Sequence, residues 1–110
     1  MDSELLEQDP TLAEIVRRLV EACRPTKIYL FGSKARGDAG VDSDYDIMVV
    51  VPFSEEPAYR RAREAYEILR GIRTAVDVLV WTREAFEGRL HLKASFPSTI
   101  VREGRLLYAA

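Results

Sequence analysis

The chain has 110 residues, of which 47% are hydrophobic and 31% charged, with a formal net charge of −2. That balance fits one domain with a single modest core, residues 1–110, and leaves no room for a second substrate-binding domain. The basic residues are dispersed, the acidic opening MDSELLEQDP is no signal peptide, and no segment approaches the roughly 20 apolar residues of a membrane span; we expect a cytoplasmic protein that binds a nucleotide or another protein rather than a nucleic acid or a membrane.

Thr11 and Glu14 form a threonine-x-x-glutamate capping box ahead of Leu12, Ile15, Val16, Leu19, Val20 and Cys23 at helical spacing. This predicts a helix from about Leu12 until Pro25 stops it, with Cys23 as a reduced interior thiol. Lys27 to Phe31 is a short aromatic and β-branched run that reads as a first strand, delivering the chain into a Gly32-Ser33 turn and then a short helix or tight loop. Glycines punctuate residues 37–40, after which Asp44 to Val51 becomes almost continuously apolar, as a strand covered on both faces would be. Pro52 ends it.

Pro57 near a first turn, then Ala58, Ala62, Ala65, Tyr66 and Leu69 on one side and Gly71 at the end, predict the next long helix. Arg60, Arg61, Arg63, Glu64 and Glu67 would line its wet face. Ala75 to Trp81 is a third strand interrupted by Asp77. Thr82 can cap a further helix, Ser95 to Glu103 suggests another ended by Gly104, and Arg105 to Tyr108 reads as a closing strand. The expected class is α/β, or α+β: a small mixed sheet with helices packed on it.

Side chains alternate along a strand, so Asp44 and Asp46 should project to one side and Tyr45 to the other. An unpaired charge at Asp77 would be strongly disfavoured in the core, and if its strand lies beside the first acidic one, the three carboxylates converge. Like charges about 4 Å apart repel by about 4 kcal/mol at an effective dielectric near 20, a cost that a divalent cation removes. Oxygen-only ligands at a sheet end suit magnesium, which keeps positions for water and substrate phosphates. Gly32 and Ser33, where a strand meets a helix start, offer backbone amides and a hydroxyl to an anion, and Lys34 or Arg36 could add charge. The GxxxxGK[ST] spacing of a P-loop is absent.

Gly32-Ser33, the interval 34–43, Asp44-Tyr45-Asp46 and a later Asp77 in an apolar strand together resemble the polymerase-beta-type nucleotidyltransferase superfamily. The wording GSKARG and the small size make the chain similar to its minimal nucleotidyltransferases, the MNT proteins, and the ending Glu103-Gly104-Arg105-Leu106-Leu107-Tyr108 extends the likeness over nearly the whole chain. The resemblance implies that Asp44, Asp46 and Asp77 are catalytic metal ligands for two magnesium ions, that Gly32 and Ser33 hold the triphosphate of ATP, and that AMP is transferred with release of pyrophosphate. It also implies a partner, the HEPN toxin of a two-gene toxin–antitoxin module, with this chain as the antitoxin that modifies a toxin tyrosine. The arginine–histidine signature of the toxin itself is absent, and His91, the single histidine, reads as a solvated helix-end residue.

Two alternatives remain at this stage. One is a non-catalytic module that neutralises the toxin by complex formation, and the other a transferase acting on a small molecule, whose pocket would need a second subunit. A homo-oligomer or a hetero-oligomer with the toxin is compatible with either. Phe53, Phe86 and Phe96 are candidate partner contacts that could equally be packing residues, and Trp81 could stack on a base or pack at the core edge.

Overall fold

The computed structural model describes residues 1–37, 40 and 44–110. Most of the interval predicted between Gly37 and Asp44 therefore lies outside the described residues. The chain runs α1 (Ser3–Gln8), α2 (Pro10–Cys23), β1 (Lys27–Phe31), α3 (Gly32–Arg36), β2 (Tyr45–Val51), α4 (Ala58–Ile68), β3 (Val76–Thr82), α5 (Arg83–Glu87), α6 (Phe96–Glu103) and β4 (Arg105–Ala109). The strands form one sheet in the order β3-β2-β1-β4. β1 is antiparallel to both neighbours, whereas β2 and β3 are parallel and joined by α4, because a parallel pair needs a crossover rather than a hairpin. The mixed α/β class expected from the sequence is the one found.

Alternation along the strands divides the apolar side chains between two faces. On the back face Ile28, Leu30, Ile47, Val49, Val78, Val80 and Leu107 meet Leu12, Ile15, Val16 and Leu19 of α2 and Ala65 of α4. In front, Tyr29, Met48 and Val50 meet Phe86 of α5 and Ile100 of α6, with Phe31, Trp81 and Leu106 at the margin. β2 is covered on both faces, as its apolar run predicts. Among the described residues no helix is long and apolar enough to cross a membrane.

Several local expectations are corrected. The cap of α2 is Asp9, whose carboxylate accepts from the Leu12 N–H at 3.0 Å while Pro10 opens the helix. Asp-Pro supplies both an acceptor and a preset φ, so the helix starts before Thr11 and the Thr11–Glu14 box does not form. Glu14 instead pairs with Arg17 at 2.8 Å and Arg18 at 2.9 Å, and these partners hold its carboxyl down at about 2. α1 was not foreseen; Asp2 caps it through the Leu5 N–H at 3.2 Å and also binds Arg105 at 3.0 Å.

Along α4, Ala65 and the following Leu69 are buried, whereas Ala58 and Tyr66 are exposed. Arg61 is not on a wet face: its guanidinium donates to the Val80 carbonyl at 3.1 Å and to the Glu56 carbonyl. The Tyr66 hydroxyl accepts from the Val78 N–H at 3.1 Å. β3 lies at the sheet edge, and a helix that covers an edge must satisfy some of its free backbone groups; polar side chains of α4 do so here.

Candidate active site

The site forms where β1 hands the chain to α3 and where β2 and β3 begin. Gly32, the first residue of α3, has φ +74°, in the left-handed region that side chains with a Cβ rarely adopt. A Cβ on Gly32 would also overlap Oδ2 of Asp46. The turn thus requires glycine, and the Asp46 carboxylate fills the space that a Cβ would take. Phe31 precedes the helix without giving it a side-chain cap, so among the described residues its N-cap position leaves the first amides of α3 to other acceptors. Ser33 follows, half-buried.

Phe31 faces Asp46 across β1 and β2, and Asp46 faces Asp77 across the parallel pair β2 and β3. Neighbouring strands lie about 4.8 Å apart, so Asp46 and Asp77 stand side by side at one end of the sheet. Asp46 belongs to the same alternating set as Met48 and Val50, which places it on the front face. Asp44 lies just before β2 and is exposed, as is Asp77. Burial pushes the Asp46 carboxyl above the ordinary carboxylate range, the Asp77 and Asp44 charges push it further, and Arg36 opposes them. Among the described residues no three His, Cys, Asp or Glu side chains are grouped so as to hold a metal ion. Asp44 and Asp77 are exposed and Asp46 is partly enclosed. Their oxygen-only chemistry and the surplus negative charge around Asp46 suit a hard divalent cation.

The two cationic candidates separate. Arg36 is electrostatically close to Asp46 and helps line a cavity of about 180 Å³ with Phe31, Gly32, Phe96, Thr99 and Glu103. Lys34 lies behind the strand, its Nζ 4.5 Å from the centre of the Tyr45 ring. Tyr45 points away from Asp46 into the back core, as alternation requires, and its hydroxyl donates to both oxygens of Asp9 at 3.0 and 2.8 Å. Burial, followed by the hydrogen bond and charge of Asp9, pushes this phenol up to about 12. The Asp-Pro start of α2 was the sequence signal for Asp9 as a cap; its pairing with Tyr45 had no signal.

Of the aromatic candidates, Phe86 is buried and stacks on Tyr29 with centroids 5.6 Å apart. Phe96 is 40% exposed and bridges Phe31 at 5.3 Å and Trp81 at 6.0 Å, edge to face. Trp81 therefore packs at the core edge. Phe53 is exposed, as is His91.

A family model for the nucleotidyltransferase domain matches residues 10–107. The chain belongs to that family. The nucleotidyltransferase domain thus takes in every element from α2 into β4, including all three acids. Among solved structures it is similar to a candidate nucleotidyltransferase from Sulfolobus solfataricus, with 24% identity and a TM-score of 0.65 over 91% of this chain and 78% of the other. It is also similar to a chain in a crystal structure of a toxin-antitoxin with AMP-PNP, with 22% identity and a TM-score of 0.51 over 88% of this chain and 73% of the other. Both likenesses are of fold. No curated protein matches the sequence.

Proposed function

We propose that this nucleotidyltransferase domain transfers AMP from ATP to a tyrosine of a protein partner, a HEPN toxin, and so acts as a cytoplasmic antitoxin. The observation that carries the transferase reading is the junction at which Gly32, pressed against Asp46, meets the Asp46–Asp77 pair. A triphosphate held at the start of α3 would lie beside carboxylates that can hold divalent cations. The fold shared with a toxin-antitoxin chain solved with AMP-PNP is in keeping with the partner and nucleotide suggested by the resemblance.

In this reading Asp44, Asp46 and Asp77 would hold two magnesium ions, which when bound neutralise charge on the phosphates and on the developing oxyanion. Gly32 and the Ser33 hydroxyl bind the β- and γ-phosphates, and Arg36 adds positive charge from the same side. The acceptor hydroxyl attacks the α-phosphorus in line; the bond from that phosphorus to the bridging oxygen of pyrophosphate breaks, and Asp77 takes the hydroxyl proton. The exposed Asp77 is open to an incoming acceptor, whereas Asp46 is partly enclosed.

The exposed apolar residues Leu90, Leu92, Phe96 and Val101 favour a second reading, neutralisation by surface occupancy alone. Incubation with labelled ATP, magnesium and the product of the neighbouring gene separates the two. Label on the partner, lost in Asp44→Asn/Asp46→Asn together with protection in co-expression, is the expected result. Full protection by that double variant without transfer would sink the catalytic route.

A further inference from the structure

Three segments that the transferase reading needs in fixed relation meet behind the sheet. Asp9 ends the turn before α2, Lys34 follows the Gly32-Ser33 cradle, and Tyr45 separates the two acids of β2. Tyr45 is only 7% exposed, and its hydroxyl contacts both Asp9 oxygens. Asp9 is itself held in place, because the Leu12 N–H of α2 donates to it at 3.0 Å. The Lys34 ammonium lies over the Tyr45 ring, and the Tyr45 N–H donates to the Ala75 carbonyl at 3.1 Å. The residue between Asp44 and Asp46 is thus fixed at its backbone, its ring and its hydroxyl.

We infer that Tyr45, pinned by Asp9 and Lys34, is a positioning residue for the acidic pair, and that Lys34 serves the site from behind the strand rather than as a phosphate ligand. The inference rests on the nucleotidyltransferase reading. Its physical basis is that carboxylates able to rotate hold a cation well only if their backbone is fixed, since every degree of freedom left to the strand must be frozen when the cation binds. Lys34 adds a second link: as the residue after Ser33, it ties the cradle to the acid-bearing strand without occupying the front face. A cation over an aromatic ring and a phenol shared by two carboxylate oxygens are directional contacts, unlike the apolar packing around them.

The test is Mn²⁺ binding by calorimetry on the purified full chain, followed by transfer of labelled nucleotide well below the melting temperature. Tyr45→Phe keeps the ring under Lys34 and removes the bond to Asp9; Lys34→Met keeps the stem and removes the charge. Each should weaken Mn²⁺ binding and lower turnover by roughly tenfold, the lower end of what such supporting contacts carry. Asp9→Asn, which retains an acceptor for both Leu12 and Tyr45, should lose less than Asp9→Ala. Wild-type Mn²⁺ affinity in both Tyr45→Phe and Lys34→Met, whatever their melting temperatures, overturns the inference and leaves the transferase reading standing. A wild-type chain that neither binds Mn²⁺ nor transfers label overturns both.

Discussion

Behind the sheet, residues from all four strands and from α2 and α4 close a core in which Leu12, Ile15, Leu19, Ile28, Ile47, Val49 and Leu107 have no exposure at all. In front, Phe86 and Ile100 are nearly as well buried, but Phe96 and Leu79 remain 40% and 37% exposed, and Asp46 and Asp77 take places in the alternation where apolar residues would otherwise stand. The back face is built for stability and the front face gives some of it up. One sheet can do both because side chains on its two faces are independent in sequence: at the start of β2, Tyr45 and Ile47 can be chosen for packing behind and Asp46 for chemistry in front.

The largest expected effect breaks the front face alone. Asp77→Asn removes a charge from the junction with little change in volume, and labelled-AMP transfer should fall on the order of 10³-fold while the melting temperature stays near that of the wild type. Transfer within threefold of wild type would remove Asp77 from the chemistry. Gly32→Ala strikes where the faces meet the turn: strain at φ +74° and overlap with Asp46 should cost about 1–2 kcal/mol of stability in denaturant titration. The displaced carboxylate should also lower transfer by roughly 100-fold.

The two faces can then be compared through packing. Ile15→Ala, at a site with no exposure, should cost about 3 kcal/mol by urea unfolding, whereas Phe96→Ala, already partly in water, should cost no more than about 1.5 kcal/mol. Equal losses would mean that the front face is as tightly specified as the back. Partner binding supplies a second measurement for Phe96→Ala, because an exposed aromatic that closes an interface loses affinity on truncation far beyond its effect on folding.

Much of this division was legible in the residues. Alternation in Asp44-Tyr45-Asp46 assigns the faces without a structure, and apolar runs broken by single acids mark where packing yields to another requirement. Adjacency of β3 and β2 is not legible there, because parallel pairing depends on a crossover that local pattern does not encode. Helix α1 was missed because six residues are too few to show a periodic face, and it is held by Asp2 and Arg105, far apart in sequence. Arg61 and Lys34 show a limit of another kind. The pattern puts Arg61 on a wet face and Lys34 beside a phosphate, but each has a long stem that can turn its charge toward a backbone carbonyl or a ring, and only tertiary contact decides which.

The smallest effect is the most discriminating for the trade between faces. Asp46 is held above the ordinary carboxylate range by burial and by two like charges, so the folded chain keeps its proton to a higher pH than the unfolded chain does. Below the unfolded value both states are protonated and Asp46 behaves much like an asparagine. As pH rises from there through the raised folded value, the unfolded state ionises first and stability relative to Asp46→Asn falls; above that window the full cost is present. Asp46→Asn should therefore melt near the wild-type temperature at pH 3 and above it at pH 7 in metal-free buffer, while losing transfer. Millimolar Mg²⁺ should narrow the gap at pH 7 by stabilising more strongly the protein that keeps all three carboxylates. A pH-independent difference in melting temperature would place the origin of the change in packing rather than in charge.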